Sequence, residues 1–245
     1  MIDAAFLLAG VFIAAAAIVS GLAGFGLGIV AIPPLLLIYD PATVIAIMKV
    51  LTLSSTWIIV VHAWRDISWR RIVRIVPPAM AGLLVGGWLL EALDPAAIKT
   101  IAGVVVFMLA ALLLTWQPVA LRERPWMAPA VGLLSGVGST STGMSGPPLV
   151  LFFTVTGVDK LTFRATAATF FVLTDLVGLP ALVSQGAIGG DDLLVALALA
   201  PVALVGRLVG IRLVPLVSPV AFRRATLALL LVTGSVSVVT GLAAL

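Results

Sequence analysis

The chain has 245 residues, 62% hydrophobic and only 10% charged, with a formal net charge of +4, one histidine and no cysteine. A soluble domain cannot hide that much apolar surface, so a single polytopic membrane domain is expected, its basic excess belonging to cytoplasmic loops and not to nucleic-acid binding. Without cysteine there are no disulfides, thiolate metal sites or thiol relays, and no cofactor or metal is expected.

The N-terminus, MIDAAF, carries an acid and no Lys or Arg, unlike the basic start of a signal peptide, so no cleavage is expected. Residues 4–38 are apolar but too long for one span, and SGLAGFGLGIVAIPP at 20–34 interrupts them. Runs of the ~20 residues that cross ~30 Å of hydrocarbon follow. They lie at 42–63, 72–93 and 97–116, divided by WRDISWRRIVR at 64–74 and by Asp94-Pro95. Beyond QPVALRERP at 117–125, the apolar segment 127–155 is interrupted by SGVGSTSTGMSGPP at 135–148. Three further spans are expected at 163–187, 193–214 and 220–243. Trp57, Trp64, Trp69, Trp88, Trp116 and Trp126 fall mostly near span ends, as an aromatic belt does.

The halves match each other. A step of 115 carries Ser20-Gly21 onto Ser135-Gly136, Gly28 onto Gly143, Pro33 onto Pro148 and Lys49 onto Arg164. A step of 124 then carries Pro77 onto Pro201, Gly82 onto Gly206, Gly86 onto Gly210, Pro95 onto Pro219 and Lys99 onto Arg223. The chain reads as an internal duplication, repeat A about 1–117 and repeat B about 127–245, forming one transport domain.

Charge orients the repeats. If each broken segment crosses once, the repeats are parallel and the basic residues divide six against six. If each enters and returns on one side, the repeats are inverted, with eleven basic residues inside and Lys99 alone outside. The second arrangement obeys the positive-inside rule. The expected fold is therefore all-α and polytopic, with two inverted repeats. Each repeat combines a re-entrant, broken helical hairpin with three transmembrane helices. Both termini face out from the cell membrane. A ten-span layout, with two crossings per broken segment, has the same sidedness.

Non-helical backbone at membrane depth must be buried in protein or line a cavity. A half-helix N-terminus there presents free N–H groups and a positive dipole end, which favours an anion. Pro33-Pro34 and Pro147-Pro148 fit the first turn of a new half-helix. Gly24, Gly26, Gly28 and Gly143 allow close approach of backbone, and Ser139, Thr140, Ser141, Thr142 and Ser145 add hydroxyl donors. Glycines alone also serve tight helix packing. Lys49 and its mate Arg164 are the expected cations of the site. Arg164, near a cytoplasmic edge, also has a snorkelling reading. Asp175 and Arg207 either pair with each other or serve coupling, with Asp175 the candidate proton carrier. His62, the one histidine, reads as an interfacial residue. Gly143-Met144-Ser145-Gly146 resembles the GxSG string of rhomboid-type proteases. A serine nucleophile needs an adjacent base, and no histidine follows Ser145, so an enzyme is not expected.

The two strings SGLAGFGLGIVAIPP with Lys49 and SGVGSTSTGMSGPP with Arg164 resemble the TauE/SafE sulfite exporter family, a likeness that covers essentially the whole chain. The resemblance implies transport of sulfite, organosulfonates or related sulfur-containing anions, often as export. Family halves more often carry extra glycines where this chain has Ser139, Thr140 and Ser141. The expected partners are a small anionic substrate, the lipid bilayer and a coupling proton. The expected activity is secondary transport, with an anion channel as the alternative.

Overall fold

Pro41 after Asp40 and the carboxylate of Asp159 show how helices begin in this chain. Proline lacks the amide that a first turn leaves unpaired, and Asp159 accepts hydrogen bonds from the amides of Leu161 and Thr162. The computed structural model describes residues 4–23, 26–115 and 122–213, with positions 235, 236, 238, 239 and 243. All elements among these residues are helical. They are α1 (Ala4–Ala23), α2 (Leu27–Leu35), α3 (Pro41–Ser55), α4 (Trp57–His62), α5 (Trp69–Ala92) and α6 (Pro95–Thr115), followed by α7 (Met127–Ser141), α8 (Gly146–Val155), α9 (Lys160–Ser184) and α10 (Gly190–Leu213). A single 3₁₀ turn at Trp64–Asp66 follows α4.

Five stretches are long and apolar enough to cross a membrane: Ala4–Leu22, Pro41–His62, Trp69–Ala92, Lys160–Ser184 and Gly190–Leu213. Four of them meet the expected spans 42–63, 72–93, 163–187 and 193–214, shifted by one to three residues. The expected span 97–116 corresponds to α6. The expected span 220–243 lies almost wholly outside the described residues.

Both expected breaks are present, but they differ in form. α1 runs for 20 residues, about 30 Å, before the chain turns, so the first break lies at the end of a full-length helix and not at the tip of a short one. α7 and α8 have 15 and 10 residues. Pro147 and Pro148 open α8, as expected. Pro33 and Pro34 do not open α2. They lie near its C-terminus, because the helix starts at Leu27, directly after a left-handed glycine. The helix then stops at Leu35, since two prolines withdraw two amides from its last turn.

Among the described residues the helices form two large apolar cores and a small third one, in which Ile45 and Ala46 of α3 meet Leu182 of α9 and Ile188. Of the large cores, one joins α1, α2, α3 and α10, with contributions from α6; the other joins α5, α7, α8 and α9. By the sequence match, α7, α8 and α9 are the mates of α1, α2 and α3, and α5 is the mate of α10. In each of the two large cores, helices of one half therefore pack around one long helix of the other, α10 in the first and α5 in the second. The exchanged pairs, α1 with α10 and α5 with α7, are the most extensive helix contacts, and glycines make them. A Cβ at Gly210 would strike the Ile18 carbonyl oxygen, and one at Gly136 the Ala79 carbonyl oxygen. These matched glycines let backbones touch, the usual role of small residues between membrane helices.

Two polar contacts define the ends of the bundle. Thr43, near the start of α3, donates a hydrogen bond to Asp192, near the start of α10. The amide of Ser68, just before α5, donates to the Thr166 hydroxyl near the start of α9 at 2.9 Å.

Candidate functional site

The first break turns at Gly26, which has φ 95° and ψ 7°. Nothing lies within 4 Å of where its Cβ would be, so the left-handed backbone alone calls for glycine. The second break turns at Gly143, with φ 76°. The amide of Met144 reaches back to the Gly138 carbonyl at 2.8 Å. The step of 115 pairs Gly143 with Gly28, yet the left-handed glycines are Gly26 and Gly143, so the register slips by two residues at the breaks.

The breaks meet. A Cβ on Gly28 would lie 3.4 Å from the Gly143 carbonyl oxygen, and one on Gly146 would lie 3.3 Å from Ile29 Cδ1. Between them is a cavity of about 60 Å³. About 10–15 Å³ on this measure holds one water, so there is room for a few waters or one small oxyanion. Gly26, Leu27, Gly28 and Ile29 line it from the first break, and Gly143, Met144, Ser145 and Gly146 from the second. The first amides of a helix have no intrahelical partner, so the N-terminus of α2 brings unpaired donors to this wall, whereas in α8, where Pro147 and Pro148 have no N–H, Gly146 is the first-turn residue in the lining that carries one.

Three ionisable side chains also line the cavity: Lys49, Asp175 and Arg207, with 1%, 7% and 3% of their surfaces exposed. Lys49 does not snorkel. Its Nζ lies 2.9 Å from Asp175 Oδ1 and donates to Ser139 Oγ at 3.0 Å. Gly178 makes room for it, since a Cβ there would lie 2.8 Å from Nζ. The expected alternative of an Asp175–Arg207 pair is not formed, because Lys49 on α3 reaches the carboxylate first. Arg207 instead donates from Nη1 to Thr56 Oγ1 at 2.8 Å and from Nη2 to Ser20 Oγ at 3.2 Å. Its Nε is buried without a hydrogen-bond partner.

The remaining expected residues divide. Ser139 and Ser145 line the cavity. Thr140, Ser141 and Thr142 do not; their hydroxyls bond the carbonyls of Leu83, Val137 and Gly138. Ser141 and Thr142 bond back to the preceding turn, as hydroxyls on a helix readily do, whereas Thr140 bonds across to α5. Arg164 is partly buried and is not part of the lining. Gly24 lies outside the described residues. His62 is exposed at the end of α4, with Nδ1 2.8 Å from the Ile58 carbonyl oxygen, as an interfacial residue would be.

Ser20 and Thr56, the ligands of Arg207, were not singled out in the sequence, where they look like ordinary small residues of apolar helices. The duplication carries a partial signal. Ser20 matches Ser135, whose buried hydroxyl has no partner. The position matching Arg207 is Leu83, and the one matching Asp175 is Val60. Ser135 therefore has no arginine at the position matched to Arg207, and the acid and arginine of the site have no charged counterparts at the matched positions.

Residues 7–236 match the family described as sulfite exporter TauE/SafE. The chain is 25% identical over 218 residues to a protein of Cupriavidus necator named probable sulfite/organosulfonate exporter TauE, covering 86% of this chain and 85% of that one. It is 28% identical over 176 residues to a protein of Comamonas testosteroni named probable inner membrane transporter protein TsaS, covering 70% of this chain and 72% of that one. No solved structure gives a significant match.

Proposed function

We propose that this chain, which belongs to the sulfite exporter TauE/SafE family, is a secondary transporter of small sulfur-containing anions such as sulfite or organosulfonates. The names of the two relatives supply the substrate class and suggest export across the inner membrane. The observation that carries the reading is a cavity where both helix breaks meet two buried cations. Backbone amides of α2 and α8, the hydroxyls of Ser139 and Ser145, and the cations Lys49 and Arg207 would hold the anion. Asp175 is the group available for a coupling proton. Reconstitution of the purified protein in liposomes tests the proposal. The expected result is saturable sulfite and methanesulfonate flux that accelerates in counterflow. Absence of flux would remove the transporter reading, and a large unitary current would replace it with the channel.

The reading includes inverted repeats that rock around the cavity. The exchanged cores support it, and so do the two end contacts. Thr43–Asp192 and Ser68–Thr166 each join helix starts that inverted repeats put on one side and parallel repeats put on opposite sides. Single cysteines at Arg65 and Gly190, introduced into this cysteine-free chain, are expected to react with impermeant reagents from opposite faces. Reaction of both from one face would contradict the layout.

A further inference from the structure

Arg207 differs from the other charged groups of the cavity in having no counter-charge. Among the described residues, Lys49 is neutralised by Asp175 at 2.9 Å, whereas Arg207 is held only by the neutral hydroxyls of Ser20 and Thr56. A guanidinium has five N–H donors. Two are engaged by these hydroxyls, and Nε is buried without a partner. A buried cation needs a partner charge, and a planar fork of donors suits the oxygens of an oxyanion. Among the described residues the lining contains no ionisable group besides Lys49, Asp175 and Arg207, so its formal charges sum to +1.

We infer that Arg207 is the specificity-determining cation of the site, and that the lining charge of +1 selects a singly charged oxyanion, a sulfonate or hydrogensulfite, over a dianion such as sulfate. This inference rests on the proposed transport of sulfur-containing anions and adds the charge state of the ion carried. A monoanion beside Arg207 leaves the cavity neutral, with the Lys49–Asp175 pair intact. A dianion leaves an excess negative charge facing Asp175 in a site shielded from solvent, which Coulomb energies at low dielectric oppose. Lys49 then answers the second charge only by giving up Asp175.

Binding of methanesulfonate, sulfate and nitrate to the purified full chain, by calorimetry at one fixed pH, tests the inference. In the wild type, methanesulfonate is expected to bind at least about tenfold more tightly than sulfate, the scale of one uncompensated charge in a partly dry site. Asp175→Asn raises the lining charge to +2 and is expected to narrow or reverse that ratio. Arg207→Gln is expected to abolish binding of both ions. Sulfate binding as tightly as methanesulfonate in the wild type would overturn the charge rule, and that comparison needs no variant to fold. An unchanged ratio in Asp175→Asn, or unchanged methanesulfonate affinity in Arg207→Gln, would overturn it as well. Nitrate binding without methanesulfonate binding would support the charge rule while removing sulfur-containing anions as the substrate. Binding of none of the three would overturn the assignment of Arg207.

Discussion

Lys49→Ala is expected to cost the fold about 3–5 kcal/mol, the range for removing one partner of a buried ion pair. The reason lies in Asp175. Asp175 is 7% exposed in the wild type, and with Lys49 gone Ser139 Oγ at 3.4 Å is its remaining side-chain hydrogen bond. Thermal unfolding in detergent should show a large fall in midpoint, together with loss of anion flux. Lys49→Met combined with Asp175→Leu removes both charges and is expected to recover most of the stability, since apolar replacement of a whole buried pair is often neutral or better. Flux should not return with it, because an apolar pair does not restore the polar wall of the cavity. Arg164→Ala, outside the lining and partly buried, should disturb the fold much less. A Lys49→Ala protein as stable as the wild type would show that the 2.9 Å pair is not a structural element.

The stability and the chemistry of the site share the same residues. The Lys49–Asp175 pair ties α3 to α9, while Arg207 ties α10 to Ser20 on α1 and to Thr56 between α3 and α4. Each link crosses from one sequence half to the other. An anion entering beside Arg207 therefore meets groups that also hold the halves together, which is what a rocking mechanism needs if binding is to favour one arrangement over another.

Much of this architecture was legible in the chain. Span lengths and polar joints predicted α5, α9 and α10 within three residues, because hydrocarbon thickness imposes a length that few other constraints override. α5 begins three residues earlier than expected because Trp69, Arg70 and Arg71 can be helical before the apolar run starts. The glycine runs located both breaks, since a left-handed turn at Gly26 or Gly143 has few alternatives in residue type. Pro33 and Pro34 end α2 instead of opening it, because the left-handed turn at Gly26 starts the helix at Leu27 and leaves the prolines to break its last turn. The partners of charged groups were legible least. Lys49, Asp175 and Arg207 were visible as costly residues in apolar runs, but which of the two cations reaches the carboxylate depends on how α3, α9 and α10 pack. Hydroxyls misled for a related reason: Ser139 and Ser145 face the cavity, whereas Thr140, Ser141 and Thr142 turn back to carbonyls. A string of residue types does not reveal which side of a helix they occupy.

The central claim is that the anion passes through the cavity between the two breaks. Ser145 lines it and makes no capping bond to α8. In this cysteine-free chain, Ser145→Cys supplies a single thiol at the cavity wall. The direct measurement is methanesulfonate flux in liposomes before and after the thiol is modified with a methanethiosulfonate reagent. Modification is expected to stop the flux, and methanesulfonate present beforehand is expected to slow modification. Complete modification with undiminished flux would show that the anion takes another route.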